Sequence, residues 1–426
     1  MTVRSLLFAL LPASILLHSG IAGAWDDTVV TTFAGHQGDP AVAVSDSGTS
    51  VIVWYGSGEG DTLGIFGRRF AADGTPMGGE FRVNTVTVEE QDDCAVAMNG
   101  SGAFVVVWES DLQDGDEEGI YARRYDASGT PLDLVEIQVS TVSTDRQLDP
   151  NVAMADDGRF VVVWEAFPNF DGSAGAVYAR LFGADGIPTT GNILVNSTTF
   201  DGQRDPVVAM WPDGGFAVAW ESASQDFETT WGIIARVFDD TGAATTAEID
   251  VNTYVEGDQR DPFVAAAHSG GFSVVWTSSG QDGDDGGVYL RSFDRLGQPE
   301  SAEVRVNTTT EGWQGDPCVG ADGNGSVLVV FEDGDEPQDS LIREFSTDGT
   351  PIGDPVRVHL DPLADHDDPE LAVNRLGFAV VAWERYQQDP TGDDVLARSW
   401  STTAPIFSDD FESGLLDAWS SHTSPR

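Results

Sequence analysis

Seven times along the chain, a run of β-branched and small apolar residues ends in an aromatic side chain: Trp54, Trp108, Trp164, Trp220, Trp276, Phe331 and Trp383. Successive members stand 54, 56, 56, 56, 55 and 52 residues apart. Ahead of each comes an aspartate, namely Asp39, Asp93, Asp149, Asp205, Asp261, Asp316 and Asp368. Proline follows it in every case but one, where Asp93 precedes Cys94. Behind each comes an arginine: Arg68, Arg123, Arg180, Arg236, Arg291, Arg343 and Arg398. Three landmarks in a fixed order at this period define a repeat architecture, and any other fold must explain them away.

Each unit reads as four short strands. In the second, Ala95 to Met98 is a short apolar run, and Asn99 to Gly102 is a turn. Ala103 to Trp108 is continuously apolar, as a strand covered on both faces must be. An acidic loop leads to a third strand, Ile120 to Tyr125, and a turn leads to a fourth, Val135 to Ser140. Four-stranded units at this spacing predict an all-β, seven-bladed β-propeller over residues 25–400, with 401–426 as a C-terminal tail.

The two ends complement each other. The seventh unit has three strands, the last being Val395 to Trp400, and lacks a fourth. The segment 27–34, containing Val29-Val30-Thr31-Thr32-Phe33, matches a fourth strand and leads through Gln37 to Asp39 as Val306 to Thr309 leads through Gln314 to Asp316. Lending that strand to the last blade closes the ring and leaves no open sheet edge. The Asp-Pro strand follows each blade-to-blade link, so it is expected innermost, with the links and the acidic loops on one shared face.

Strand parity places each landmark arginine on an apolar face: Arg123 alternates with Tyr121 and Tyr125, and Arg180 with Tyr178 and Phe182. A guanidinium there calls for ring stacking and a carboxylate partner. The seven Asp-Pro aspartates match the seven arginines in number, so both sets read as structural. The glutamate after Trp, as at Glu109 and Glu165, is a rival partner but is missing from two units.

The chain carries 71 acidic and 21 basic residues, a formal net charge of −50, and no lysine. Such a charge repels nucleic acid and anionic lipid and attracts cations. Arg4, the apolar run from Leu6 to Leu17 and Ala22-Gly23-Ala24 form an export signal cleaved after Ala24, which places the mature protein outside the cytoplasm, secreted, periplasmic or at the cell surface. No later segment is apolar enough to span a membrane. Cys94 and Cys318 fall in units that are not ring neighbours, so both are expected as buried free thiols.

Gly102 to Trp108 and Tyr121 to Tyr125 resemble the units of secreted bacterial propeller-type proteins that read G-x-F-V-V-V-W, an acidic loop, Y-A-R-R-F and D-x-x-G-T-P. The resemblance runs from about Val29 to Trp400 and departs most in the sixth unit, at Phe331 and Ile342. It implies a propeller outside the cell and no defined activity. The tail from Phe407 to Gly414 and on to Trp419-Ser420 resembles an F-x-D-x-F-E-S-G…W-S stretch near the C-termini of secreted bacterial proteins.

No zinc-protease motif and no G-x-S-x-G elbow occurs. The acidic loops at Asp114-Gly115-Asp116 and Asp282-Gly283-Asp284-Asp285 could aim several oxygens at a hard cation such as calcium, but neither completes an EF-hand pattern, and solvated turns are the competing and simpler reading. His36 and His366 lie in neighbouring links and form a second candidate metal pair. Against it, His366 stands where the other units carry Gln37, Gln91, Gln147, Gln203, Gln259 and Gln314, which reads as a structural substitution. Two functions fit. The favoured one is a non-enzymatic module that binds a glycan or protein ligand, in adhesion or at the envelope. The alternative is a carbohydrate-active enzyme, hydrolase or lyase, working with two carboxylates on the loop face.

Overall fold

The computed structural model describes residues 27–402 except 143–145, 168–174, 224, 226–229, 269, 335–337, 362–363 and 387–392. The segment expected to be an export signal and most of the tail lie outside the described residues. The described residues form seven antiparallel four-stranded sheets and no helix. Six sheets follow chain order from the innermost strand outward. The seventh combines Asp365–Val373, Phe378–Tyr386 and Asp394–Ser401 with Thr28–Val29 from the other end of the chain. Thr28 pairs with Ala397 and Val29 with Leu396, and Val30 N–H donates to Val395 O at 2.8 Å. The protein is a seven-bladed β-propeller closed by its N-terminal strand.

The second strands are apolar throughout because they are buried on both faces; Phe104–Asp111 is buried at every position but the last. Their side chains interleave between blades. Val161 and Val163 of the third blade pack with Phe216, Val218 and Trp220 of the fourth. At the closure, Val30 joins Trp54 of the first blade and Val380 and Ala382 of the seventh. Inside a blade, facing rings stack, with Phe104 on Tyr125 at 4.6 Å and Phe160 on Phe182 at 4.7 Å.

The outermost strands are only two residues long in every blade but the sixth, where Pro351–Arg357 spans seven. In the second blade, Val135 to Ser140 narrows to Ile137–Gln138, and Val135 is 75% exposed. An outer edge has a partner on one side only, so few of its residues are tied. The turns opposite the links are built by aspartate: Asp126 Oδ1 accepts from the N–H groups of Ser128 and Thr130, and Gly129 takes the positive φ of 81° that the turn requires. Links and acidic loops do share a face, as Asp111 N–H to Glu90 O and Ser279 N–H to Asp258 O show.

Candidate functional site

The innermost strands line a central cavity of about 460 Å³. Six landmark aspartates line it, Asp316 lines an adjoining pocket with Asp261 and Asp368, and all seven lie in the left-handed region, with φ between 42° and 52°. Each sits where the register of its strand slips, as between Gly38 and Ala41 or between Arg204 and Val207. The bulge explains the Asp-Pro pair. Aspartate tolerates positive φ better than most side chains, and proline brings no N–H that a broken ladder would orphan.

The glutamate after Trp reaches forward to the next blade. Glu109 accepts from Asp149 N–H at 2.5 Å, Glu221 from Asp261 N–H at 2.9 Å, and Glu332 from Asp368 N–H at 2.7 Å. Thr277 takes the same role for Asp316 at 3.2 Å. The landmark arginines therefore face neither acid of their units. Arg68, Arg123, Arg180, Arg236, Arg291, Arg343 and Arg398 each donate through Nη1 to the main-chain carbonyl of the valine that follows the preceding outermost strand: Val30, Val83, Val139, Val195, Val251, Val306 and Val358. Each also lies over the ring two residues on, at 5.0–5.8 Å. Ring stacking matches the sequence reading. The carboxylate partner does not: among the described residues the landmark arginines make one ion pair, Arg398 with Asp27 at 3.8 Å.

Crowding raises the mouth carboxyls above the ordinary range. Burial acts first on Asp93, Asp316 and Asp368, and neighbouring aspartates add to it: Asp39 on Asp93, Asp261 and Asp368 on Asp316, Asp39 on Asp368. Burial also lifts Glu332 to about 9 and Asp92 to about 7.

The sevenfold pattern breaks at two positions. Just before the aspartates come Gly38, Asp92, Leu148, Arg204, Arg260, Gly315 and Asp367. The two arginines clasp the half-buried Trp231, with Arg204 4.0 Å and Arg260 5.6 Å from the ring centre. They are tied to Glu221 and Asp258, at 2.8 and 2.7 Å. Two residues after the aspartates come Ala41, Ala95, Asn151, Val207, Phe263, Cys318 and Glu370. Glu370 lines the cavity beside Asp368, and its Oε2 meets the Cys318 thiol at 3.6 Å. Burial lifts it to about 8. Sequence reasoning missed Glu370; its signal is that one repeat position carries a carboxyl where the others carry neutral side chains.

The sequence-predicted metal residues are not brought together. Among the described residues, three groups place ligand atoms within 4.8 Å of one another: His36, Glu384 and Asp393; Asp92, Asp93 and Glu109; Asp149, Glu165 and Asp205. Asp114, Asp116, Asp282, Asp284 and Asp285 belong to none. Asp282 instead braces its loop, accepting from Asn307 Nδ2 at 3.1 Å and from Asp284 N–H at 3.3 Å. His36 and His366 do not pair. His36 is exposed and meets Asp393 at 3.0 Å. His366 is buried against His359, with ring centres 3.5 Å apart. Both cysteines are free, Cys318 buried and Cys94 only half-buried.

Fold and site define a propeller whose carboxyl-lined mouth opens into a central cavity. No family model matches the chain, and no curated protein matches it in sequence. Solved structures share its fold. A protein of unknown function from Dyadobacter fermentans superposes with a TM-score of 0.53 at 11% identity, over 90% of this chain and 100% of that one. A PL25 ulvan lyase bound to a GlcA–Rha3S glycan gives 0.54 at 8% identity, over 87% and 95%. The GH93 α-L-arabinofuranosidase of Fusarium graminearum with arabinobiose gives 0.50 at 14% identity, over 89% and 98%.

Proposed function

We propose that the protein is an exported carbohydrate-active enzyme that hydrolyses a glycosidic bond in the central cavity. The observation that carries this reading is Glu370, a carboxyl kept neutral by burial, set beneath a rim of aspartates. Glycoside hydrolysis needs one carboxylic acid to protonate the leaving oxygen and one carboxylate to act as base or nucleophile. Glu370 supplies the acid. Asp39 supplies the carboxylate: it is exposed at the mouth, and although burial raises it above the ordinary range, His36 opposes that push. The cavity volume falls within the range of small-ligand sites. A net charge of −50 and the rim carboxylates disfavour anionic sugars, so a neutral or amino sugar is the expected substrate class. Two of the solved structures that share the fold are named for activity on glycans, which supports the architecture and not the chemistry.

The test is release of reducing ends from a panel of polysaccharides by the purified protein. Glu370→Gln should lower kcat by about 10²-fold or more while the melting curve and glycan binding persist. Release of unsaturated products absorbing in the ultraviolet would assign a lyase instead. Glycan binding without turnover by the unmodified protein would make it a recognition module, anchored by Trp231 between its two arginines.

A further inference from the structure

We infer that His36, Glu384 and Asp393 form a binding site for one divalent transition-metal ion, which staples the closure of the ring. A nitrogen of His36 and one oxygen from each acid lie within 4.8 Å of one another, and His36 Nδ1 is 3.0 Å from Asp393 Oδ2. Ligands about 2.0–2.2 Å from a common ion stand no more than about 4.4 Å apart, so the 3.0 Å pair already fits and at most a small side-chain shift brings in the third. One imidazole and two carboxylates suit zinc or manganese better than calcium, which prefers an all-oxygen shell.

Two features of the repeat shape this seam. The first is Gly38. A Cβ there would come within 2.6 Å of Glu384 Oε2 and 3.1 Å of the His36 ring, so the glycine opens the space in which the two ligands meet. Gly315 of the sixth blade is also a glycine, but there a Cβ would meet the Trp313 ring rather than ligand atoms; Asp92, Leu148, Arg204, Arg260 and Asp367 carry side chains at this position. The second is Glu384 itself. Glu109, Glu221 and Glu332 accept from an aspartate N–H of the next blade; the Glu165 carboxyl instead converges on Asp149 and Asp205, and the Glu384 carboxyl on Asp393 and an imidazole, His36.

The placement explains what the ion would do. His36 lies between the N-terminal closing strand and the innermost strand of the first blade, Gln37–Val44. Glu384 and Asp393 belong to the seventh blade, in Phe378–Tyr386 and just before Asp394–Ser401. The closing strand itself is held by two paired positions. An ion bound across the seam would tie residue 36 to residues 384 and 393 and would stabilise the folded ring by mass action.

The experiment uses tag-free, chelator-stripped protein titrated with Zn²⁺ by calorimetry and by thermal melts at fixed ionic strength. The expected result is one saturable site and a melting temperature that climbs with Zn²⁺ but not with equal Ca²⁺. His36→Ala and Asp393→Asn should each weaken that site by at least about tenfold, as losing even an outer-shell partner does. Asp149→Asn, in a separate carboxylate group, should leave it intact. Co²⁺ should give visible ligand-field bands that vanish in His36→Ala. Stoichiometry without saturation, or a site unchanged in His36→Ala, would assign Zn²⁺ to scattered surface carboxylates and overturn the inference. Neither outcome depends on glycan turnover.

Discussion

Arg236 donates through Nη1 to the carbonyl oxygen of Val195, 2.7 Å away in the outer edge of the preceding blade, while its guanidinium lies 5.6 Å from the ring centre of Phe238. The same latch recurs at every seam between blades. Its logic is geometric. A short outer strand leaves main-chain carbonyls unpaired against the neighbouring blade, and one long planar donor can cross the gap.

Arg236→Ala should therefore cost about 2–4 kcal/mol, combining an orphaned carbonyl at about 1–3 kcal/mol with a lost cation–π contact at about 0.5–2 kcal/mol. Arg236→Lys should recover part of this, since one ammonium cannot also reach Thr246 O, which Nε meets at 3.3 Å. Urea unfolding checks both. A loss below about 0.5 kcal/mol for the alanine variant would mean that the latch is decorative.

His366→Gln should stabilise the protein. In three blades a buried glutamine accepts from the tryptophan indole: Gln37 from Trp54 at 2.7 Å, Gln203 from Trp220 at 2.8 Å and Gln259 from Trp276 at 3.1 Å. In the seventh blade the edge of the His366 ring meets Trp383, and Trp383 Nε1 has no acceptor among the described residues. Restoring glutamine supplies one, worth roughly 0.5–1.5 kcal/mol. Burial, and for His359 the neighbouring His366, hold both imidazoles below the ordinary range. Their contribution is present above about pH 6.5 and is lost as pH falls, so the variant should also tolerate acid better. A lower urea midpoint at pH 7 would contradict this.

The blades were legible because burial on both faces forces a long apolar run at a fixed period, and the closure because a missing strand and a spare one match. What the arginines meet was not legible. Parity put Arg123 and Arg180 on an apolar face, but the acceptor is a main-chain carbonyl, which has no residue type to read. The aspartates misled for a related reason: a bulge with φ near 50° turns their side chains into the mouth, and simple alternation cannot foresee a bulge. Glu370 was hidden among 71 acidic residues and emerges once the repeat positions around the cavity are compared.

The crowded mouth predicts greater stability in mild acid than in alkali. Burial holds Glu332 near 9 and Asp92 near 7, with Asp316, Asp368 and Asp367 facing Glu332 and Asp93, Glu90, Asp111 and Asp39 facing Asp92. These groups bind more protons folded than unfolded, where carboxyls titrate near about 4. Their contribution is thus full below about pH 4 and is lost as pH rises through about 7–9. The two histidines act in the opposite sense on the acid side, so the optimum should lie near pH 5–6. Melting temperatures from pH 5 to 9 at constant salt check it, with Glu332→Gln expected to flatten the alkaline limb. A melting temperature that rises from pH 6 to 9 would refute the account.

Removing the closing strand should be the most damaging of these changes. Val30 is fully buried with Trp54, Val380 and Ala382, its N–H is taken by Val395 O, and its carbonyl accepts from Arg68 at 2.8 Å. One residue thus bridges the first and seventh blades. Deleting residues 26–32 forfeits a buried valine, at about 1.5–3 kcal/mol, and at least two hydrogen bonds, at about 0.5–1.5 kcal/mol each, so roughly 3–6 kcal/mol in all. It also uncovers Asp394–Ser401 as an open edge, which invites pairing between molecules. The shortened chain should therefore melt lower and aggregate at concentrations where the full chain stays monodisperse. A synthetic peptide of residues 26–33 should restore part of the loss by re-forming the pairs of Thr28 with Ala397 and Val29 with Leu396. If the deletion leaves the melting temperature unchanged, the seam is held by the interleaved side chains of the first and seventh blades, and the pairing is incidental.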